Sequence, residues 1–385
     1  LLIHTPQKEM KRIIYLISII VPFFIASCNR QSSVRTNDEG GDTLHLEYAK
    51  NIIIVKYTTH YDVTMLNPWK QGEILHRYRL VVAKGAPQAD DMTTLKVPLE
   101  NCLISTSVHC ELAKMLGKEH CVGGICDLQY MNSPWIKKRC SENKAQDCGS
   151  SMAPNIEKII TLSPDAIFLS PMNNTGGYGK IESIGIPIIE LADYMEPTAL
   201  GRAEWIKFYG ILFGAEKQAK KIFDTTEKQY KRLTEIAAKS TNHPTVLMDK
   251  IENGVWYVPG GKSTMAQELK DAGMKYAYST NNEAGSLQLS PEKILDNNAD
   301  ADIWVMRYYK ADKTPLTLDE LEKENTVYPM IKALKEKNVY GCNTAASTFF
   351  EDIPFRPDLL LRDFIIIANP DKKELGKTKY FKKLN

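Results

Sequence analysis

Aromatic side chains in predicted loops and at predicted strand ends are the residues of this chain best suited to bind a ligand. They are Tyr130, Trp135, Tyr178, Trp256, Tyr257, Tyr308, Tyr309, Phe349 and Phe350. Rings of this kind bind large flat molecules, because each ring buries about 150–250 Å² and stacks well. Packing in the core or at a hinge is the alternative role for part of this set.

Histidines supply no recognisable metal site. The seven histidines show neither H-x-x-x-H nor H-E-x-x-H spacing, which are the patterns expected of a helical zinc site. His109 begins a predicted helix directly after a predicted strand, which is where α/β folds place ligands. A surface or helix-capping histidine is the alternative for this position.

Motifs for nucleotide hydrolysis and acyl transfer are missing from the sequence. The segment Gly260-Gly-Lys-Ser-Thr resembles the end of a P-loop, but the glycine that a P-loop needs at position 256 is a tryptophan. No G-x-S-x-G nucleophile motif occurs either. The sequence therefore gives no support to catalysis, and we expect a binding protein rather than an enzyme.

Eight cysteines are present, and six of them lie between Cys102 and Cys148. In an exported protein such a density predicts disulfides. Cys140 and Cys148 bracket a polar loop and are the first candidates for a bridge. No C-x-x-C pair occurs, but a cluster that binds a soft metal is the alternative.

The N-terminal segment predicts export and lipid anchoring. Met10 is the expected start, because the basic pair Lys11-Arg12 and the apolar run 13–25 together make a secretory signal. The run ends in Ile-Ala-Ser before Cys28, which resembles a bacterial lipobox. We expect residues 1–27 to be removed, Cys28 to be lipidated and residues 28–43 to form a flexible tether. An ordinary signal peptide with a chance cysteine is the alternative.

The charge balance argues against nucleic acid as a partner. The whole chain has a formal net charge of +2. Removal of residues 1–27 takes away three basic residues and one acidic residue, so the mature chain is formally neutral. A phosphate backbone is bound by a strongly basic surface. We therefore expect membrane attachment through the lipid and no binding to nucleic acid.

A sequence repeat predicts two similar lobes. Residues 155–169 and 290–305 share a Glu-Lys-Ile helix start, an Asp-bearing turn and an apolar strand. The offset is the size of a small domain, whereas solenoid repeats have periods of about 20–50 residues. Two lobes of this kind form a cleft, which is a favoured place for ligands. A chance likeness between two helix–strand units is the alternative.

The domain prediction follows from this repeat. Strands alternate with helices in both halves, so we predict an α/β fold of two Rossmann-like lobes with mainly parallel sheets. The N-terminal lobe spans 44–198 and the C-terminal lobe 241–385. A long helical connection with few prolines joins them over 199–240. Within the second lobe, Asn253-Gly254 predicts a tight β-hairpin.

Three segments resemble the class III periplasmic substrate-binding proteins of ABC importers for iron complexes and cobalamin, in particular the lipoproteins of Bacteroidetes. One runs from Gly149 (Gly-Ser-Ser-Met-Ala-Pro-Asn-Ile-Glu-Lys-Ile), another from Leu200 (Leu-Gly-Arg-Ala-Glu-Trp-Ile-Lys-Phe-Tyr-Gly), and the third from Phe355 (Phe-Arg-Pro-Asp-Leu-Leu-Leu-Arg-Asp-Phe). The resemblance extends roughly from Lys50 to Pro370.

The resemblance implies a monomer anchored in the periplasm or cell envelope, which hands its ligand to the permease and ATPase of an importer. The ligand would be cobalamin, haem or a ferric siderophore, and the protein would have no cofactor of its own. A glutamate on each lobe would dock on permease arginines. The first lobe has Asn173, Asn174, Thr175 and Gly176 where that glutamate is expected, so Glu182 is its nearest substitute, and Glu320 or Glu324 would serve the second lobe.

Nine residues are the candidate ligand contacts under this interpretation. They are Ser107, His109, Tyr130, Met172 and Asn173 in the first lobe, and Trp256, Arg307, Tyr308 and Phe349 in the second. Arg307 is a candidate partner for an acidic ligand group such as a haem propionate. Two alternatives are an enzyme of the chelatase or nitrogenase-like kind on the same two-lobed fold, and a carrier of free Zn²⁺ or Mn²⁺.

Overall fold

The computed structural model describes residues 40–171 and 177–385, and residues 42–385 form one compact unit. The predicted signal peptide and Cys28 lie outside the described residues. So do Met172, Asn173 and the rest of the segment 172–176. In the part of the chain that is described, none of the helices combines the length and apolar character of a membrane span.

A five-stranded sheet opens the described chain and is antiparallel except at its last strand. Its strands are β1 (Asp42–Thr43), β2 (Ile52–Lys56), β3 (His60–Leu66), β4 (Ile74–Val81) and β5 (Thr93–Lys96), in that order. Only β5 runs parallel to its neighbour β4. The sequence predicts mainly parallel sheets and does not distinguish this antiparallel one, because short apolar strands fit either kind of sheet.

The first parallel sheet has the strand order β12-β11-β6-β7-β8. Its strands are β6 (Cys102–Ile104), β7 (Val122–Ile125), β8 (Gln146–Asp147), β11 (Ala166–Leu169) and β12 (Ile188–Glu190), with a small hairpin of β9 (Gly149–Ser150) and β10 (Ala153–Pro154). Helices α1 (Ser107–Met115), α2 (Pro134–Ser141) and α3 (Ile156–Leu162) connect them. Every residue of β11 is buried, as expected for a central strand covered on both faces.

Three helices connect the two halves: α4 (Ala199–Glu204), α5 (Ile206–Leu212) and α6 (Glu216–Ala238). One face of α6 is buried at helical spacing, at positions that include Phe223, Tyr230 and Leu233. Helices α5 and α6 approach closely at Gly210, where a Cβ atom would lie 2.6 Å from the Cβ of Ala219. The long helix confirms the predicted connection between two α/β halves.

The second half contains a parallel sheet of order β16-β13-β18-β19, extended by the antiparallel edge strand β20. Its strands are β13 (Thr245–Met248), β16 (Lys275–Tyr276), β18 (Ile303–Tyr308), β19 (Val339–Asn343) and β20 (Lys382–Lys383); the antiparallel strands β14 (Ile251–Glu252), β15 (Val255–Pro259) and β17 (Ser286–Leu289) form a separate sheet. Strands β14 and β15 are joined by Asn253 and Gly254, both with positive φ, so the predicted tight hairpin is confirmed.

Six helices complete the second half. They are α7 (Thr264–Asp271), α8 (Pro291–Asn298), α9 (Leu318–Glu324), α10 (Lys332–Lys335), α11 (Phe349–Asp352) and α12 (Pro357–Ala368). Short 3₁₀ helices lie at Glu119–Cys121, Leu128–Tyr130, Gly179–Ile184, Asp193–Met195, Tyr328–Met330 and Lys373–Leu375. Helix α12 is buried along most of its length and contributes to a core that also includes Tyr230 and Leu233 of α6.

The sequence repeat corresponds to a repeated structural unit. Helix α3 leads into β11 in the first sheet, and α8 leads into β18 in the second. The aspartates of the two turns have the same role: Asp165 accepts the backbone N–H groups of Glu100 and Asn101 just before β6 (both 2.8 Å), and Asp302 accepts that of Thr245 at the start of β13 (2.9 Å). Each aspartate thus fastens its strand to the neighbouring parallel strand.

The two halves also meet at the carboxyl ends of their strands. The side-chain amide of Asn132 donates to the carbonyl oxygens of Thr344 (2.6 Å) and Ser347 (3.2 Å). Helix α1 packs against α11, and Phe355, which follows α11, is buried in the core of the first half. These contacts hold the carboxyl edges of the two parallel sheets close to each other.

Candidate functional site

On each half of the protein, a cavity lies at the carboxyl edge of the parallel sheet. In α/β sheets ligands bind beyond the carboxyl ends of the strands, where the loops diverge. One cavity follows β6 and β11, and the other follows β13, β18 and β19. Thr344, which lines the second cavity, accepts the hydrogen bond from Asn132 of the first half. The second cavity therefore adjoins the contact between the halves.

The first cavity has a volume of about 620 Å³ and is lined by small polar and apolar side chains. Ser105, Thr106 and Ser170 follow the strands, and Met152 comes from the hairpin of β9 and β10. The Met152 side chain is 80% exposed, which is unusual for so apolar a group. Its exposure makes it available to a ligand.

The second cavity has a volume of about 270 Å³ and an aromatic rim. Tyr309 is 65% exposed, Phe350 45% and Tyr257 38%. The floor contains Arg307 and Tyr308 at the end of β18. Three exposed rings around one small cavity form a surface on which a large flat or bulky molecule can stack.

Arg307 is held by Asp249, which directly follows β13. Its Nε donates to Oδ1 of Asp249 at 2.8 Å, and its Nη2 donates to Oδ2. Asp249 has a φ of 57°, a left-handed conformation that aspartate tolerates better than most residues. The backbone carbonyl of Asp249 also accepts the indole N–H of Trp304 at 2.7 Å. One carboxylate therefore occupies two of the three guanidinium nitrogens.

A third cavity, of about 570 Å³, adjoins the second and contains equal numbers of basic and acidic residues. Lys250 donates to Glu324 at 2.8 Å, and Lys310 donates to Glu320 at 2.9 Å. Glu320 also completes a capping box with Thr317 at the start of α9. Both predicted docking glutamates of the second lobe are thus already ion-paired.

Glu182, the predicted docking glutamate of the first lobe, lies in the 3₁₀ helix Gly179–Ile184. It is exposed and accepts the backbone N–H of Tyr178 at 2.5 Å. Tyr178 lines the first cavity. A permease could reach Glu182 from solvent, and its role in docking remains a prediction.

The predicted ligand contacts separate into cavity residues and buried residues. Arg307 and Tyr308 line the second cavity, although most of the Tyr308 side chain is buried and its hydroxyl accepts the N–H of Leu316. Tyr130 is 66% exposed, two residues before the inter-lobe contact at Asn132. Ser107 is the first residue of α1 and half-buried, directly after the cavity residue Thr106.

Trp256 and Phe349 are fully buried, which corrects their predicted role. The indole N–H of Trp256 donates to the Met248 carbonyl (3.0 Å), and the ring packs against Trp304. Phe349 packs edge-to-face against Tyr380. Neither ring presents a surface to a ligand. Their neighbours Tyr257 and Phe350 are exposed on the cavity instead.

His109 belongs to a buried polar network. Its Nε2 lies 3.0 Å from Oδ1 of Asp193 and 3.0 Å from the hydroxyl of Tyr209. Its Nδ1 lies 2.6 Å from Oγ1 of Thr106. Arg202 donates to the other oxygen of Asp193 at 2.9 Å. His109 therefore links α1 to the connecting helices, and its predicted role as a ligand contact is replaced by a structural one.

The electrostatics of this network favour a charged Asp193. Burial alone raises the pKa of the Asp193 carboxyl, but His109 and Arg202 overcome that effect and hold the pKa well below its ordinary value. Burial raises the pKa of the Tyr209 hydroxyl well above its ordinary value, so this group stays protonated. The network is thus a fixed structural element beneath the cleft.

The cysteines are unpaired throughout the described chain, including the predicted bridge partners Cys140 and Cys148. Burial raises the pKa of the Cys126 thiol to about 12 and that of Cys148 to about 11. Cys126 follows β7 and Cys148 follows β8, so these two lie on neighbouring strands, whereas Cys140 lies at the end of α2. Within the described ranges, no three His, Cys, Asp or Glu side chains are grouped to hold a metal ion.

Sequence comparisons agree with this geometry. A profile of a family described as periplasmic binding protein matches residues 113–346, which is more than half of the chain. An uncharacterised lipoprotein of Methanocaldococcus jannaschii is 27% identical over 391 residues, which cover 93% of this chain and 90% of that protein. The iron-uptake system-binding protein of Bacillus subtilis is 29% identical over 203 residues, which cover 51% of this chain and 61% of that protein.

Structural comparisons give the same fold. A molybdate periplasmic binding protein of Haemophilus influenzae has a TM-score of 0.58 at 15% identity, covering 73% of this chain and 89% of that one. A periplasmic heme-binding protein of Pseudomonas aeruginosa has 0.55 at 16%, covering 71% and 94%. A protein of an Fe³⁺-hydroxamate transport system from Saccharomonospora viridis has 0.54 at 19%, covering 71% and 95%. At these identities the comparison shows a shared fold and no more.

Proposed function

This chain belongs to the periplasmic binding protein family, and we propose that the ligand it captures for an ABC importer is a metal chelate. The observation that carries the proposal is the exposed aromatic rim of Tyr257, Tyr309 and Phe350. Exposure of these rings to solvent is unfavourable in free energy, because each ring orders water that a bound ligand would release. A bulky organic chelate covers all three rings at once.

The first cavity supports the same proposal. Met152 and the hydroxyl side chains there supply apolar contact and hydrogen bonds on the opposite side of the contact between the lobes. The combined volume of the two cavities is in the range of pockets that bind drug-sized molecules. A ligand held between them touches both lobes, which is how a binding protein can present a loaded state to a permease.

The proposed cargo is cobalamin, haem or a ferric siderophore. A relative is named as an iron-uptake binding protein, and two proteins of the same fold are described with heme and with Fe³⁺-hydroxamate transport. All three kinds of chelate are large organic molecules with extensive apolar surface, which suits an aromatic rim.

The proposed contact residues are revised from the sequence set. Tyr130, Arg307 and Tyr308 remain, together with Ser107 at the edge of the first cavity. Five residues join them because they line a cavity: Thr106, Met152, Tyr257, Tyr309 and Phe350. Arg307 acts as a fixed wall, because its guanidinium is already bound by Asp249.

The proposed setting is the outer face of a membrane. The protein is attached through the lipid on Cys28 and the tether 28–43, and it acts as a monomer. The N-terminal lobe (44–198), the helical connection (199–240) and the C-terminal lobe (241–385) carry the binding cleft. Docking uses Glu182 on one lobe and Glu320 or Glu324 on the other; the importer must then compete with Lys310 or Lys250 for the second contact.

The test is a fluorescence titration of the purified protein with cyanocobalamin, haemin, a panel of ferric siderophores and Zn²⁺, corrected for inner-filter absorption. We expect saturable quenching by one of the chelates with a Kd of about 1 μM or tighter. Met152→Ala should weaken that binding, and Met330→Ala, which removes another exposed methionine away from the cavities, should not. Absence of a response to every chelate, or a response to Zn²⁺ alone, would refute the proposal.

A further inference from the structure

We infer that the chelate carried by this protein is electrically neutral, or nearly so, rather than an oxyanion or a polyanionic complex. The inference rests on the proposed function and concerns the charges in the same cleft. It follows from the way in which the charged side chains around the three cavities, among the described residues, are paired with one another.

Arg307 is a partly buried cation of the second cavity, and its charge is already neutralised. Its Nε and Nη2 both donate to Asp249. Asp249 does not use the Nη1 edge of the guanidinium, but an anionic ligand group could take over the full charge of Arg307 only by displacing that carboxylate, which would leave the buried Asp249 without its partner. Breaking a buried pair in this way is strongly unfavourable. Arg307 therefore offers an anion hydrogen-bond donors but no unbalanced positive charge.

Two of the three lysines that line the second and third cavities, Lys250 and Lys310, are neutralised in the same way. Lys250 is paired with Glu324, and Lys310 is paired with Glu320. The second cavity is lined by two basic and two acidic residues, and the adjoining third cavity by three of each. The basic and acidic residues that line these two cavities are therefore equal in number, which gives no preference to an ion of either sign there.

The first cavity has almost no charge of its own. Lys180 is the single charged side chain among the described residues that line it, and it is exposed to solvent. The N-terminus of α1, which would attract an anion if it were open, is capped: Oγ1 of Thr106 accepts the N–H of His109 at 3.3 Å. What remains is a surface of hydroxyl groups, Met152 and Tyr178.

A desolvated anion needs donors or cations that are not already engaged. A neutral chelate needs only apolar contact and a few hydrogen bonds, which Tyr257, Tyr309, Phe350 and Met152 together with the hydroxyl groups supply. The cleft thus selects against haem with two ionised propionates, ferric tricatecholates and molybdate. It suits cobalamins and neutral ferric trihydroxamates.

The test compares ligands that differ mainly in charge. Calorimetric titration of the purified protein would use a neutral ferric trihydroxamate against a triply anionic ferric tricatecholate, and cyanocobalamin against haemin. We expect a neutral chelate to bind at least about 100-fold more tightly than every anionic one. Its Kd should change less than about twofold between low and high salt, because screening acts only on charges.

A variant that lacks one of the paired carboxylates tests the inference in a second way. Asp249→Asn keeps the shape of the side chain and a residue that tolerates positive φ, but it removes the negative charge that balances Arg307. This variant should gain about tenfold or more in affinity for the anionic chelates relative to the neutral one. Glu324→Gln, at the exposed rim, removes the negative charge that balances Lys250 and should give a smaller gain in the same direction, which serves if Asp249→Asn does not fold.

The outcomes separate the two proposals. Tighter binding of an anionic chelate by the unaltered protein would overturn the neutral-ligand inference and leave the chelate-binding function intact. Failure of every chelate, neutral or charged, would overturn both. Tight binding of the neutral chelate together with a gain for anions in Asp249→Asn would establish the inference.

Discussion

Tyr309→Ala tests whether the aromatic rim binds the ligand. The side chain is 65% exposed, so of roughly 200 Å² that a tyrosine can bury, about 130 Å² is available to a ligand. A ligand that covers half of this area buries about 65 Å². At about 25 cal/mol per Å² the contact contributes about 1.6 kcal/mol, which is about fifteenfold in Kd.

The assay is calorimetric titration with the chelate that binds the unaltered protein best. Met330→Ala is the matched control, because Met330 is also exposed on the second lobe but lines none of the three cavities. Both variants should melt within about 2 °C of the unaltered protein, since neither removes core contacts. An unchanged Kd for Tyr309→Ala, or an equal loss in Met330→Ala, would refute the reasoning.

Three further predictions concern stability and reactivity. Asp193→Asn should lower the free energy of unfolding in urea by about 3 kcal/mol, because it removes the anion from a buried ionic network. The pKa of Asp193 is depressed in the folded state. The stabilisation by Asp193 is therefore present above its unfolded pKa and is lost as the pH falls through and below about 4. Asp165→Ala and Asp302→Ala should each cost about 1 kcal/mol in the same assay, because each removes the acceptor that fastens two parallel strands. A loss at one aspartate alone would contradict the equivalence of the two repeats. In native protein at pH 7.5, the partly exposed Cys140 should be alkylated well before Cys126. Burial holds the pKa of the Cys126 thiol near 12, and the thiolate is the form that reacts. Equal rates of alkylation would contradict the buried position of Cys126.

The repeat in the sequence was the strongest predictor of the fold. It identified α3 with β11 and α8 with β18 before any contact was known, and Asp165 and Asp302 proved to make the same kind of hydrogen bond in each half. The turn aspartate stands at the same place in both short segments, so the sequence displays it although its hydrogen-bond partners lie 57 to 65 residues away in the chain. The antiparallel sheet of β1–β4 pairs strands that follow one another in the chain, but its short apolar strands give no signal that distinguishes antiparallel from parallel pairing.

The sequence predicts the correct segments for the candidate site, but in part of them it selects the residue that points away from the cavity. Trp256 is buried, whereas the next residue, Tyr257, is exposed on the cavity. Successive residues of a strand point to opposite faces, so a sequence that is aromatic at both positions does not reveal which ring faces the ligand. Phe349 and Phe350 show the same ambiguity at the start of α11. The prediction for His109 failed for another reason. A histidine just after the end of a strand can contact a ligand or can be buried between helices, and its position in the sequence does not distinguish the two roles.

The most direct test of the account is a hydrogen–deuterium exchange comparison of the protein with and without its best-binding chelate. We expect slower exchange in both lobes at the carboxyl ends of the strands: around Thr106 and Met152 in the first lobe, and around Tyr309 and Thr344 in the second. Protection confined to one lobe, or located away from both cavities, would contradict a ligand held between the two sheets.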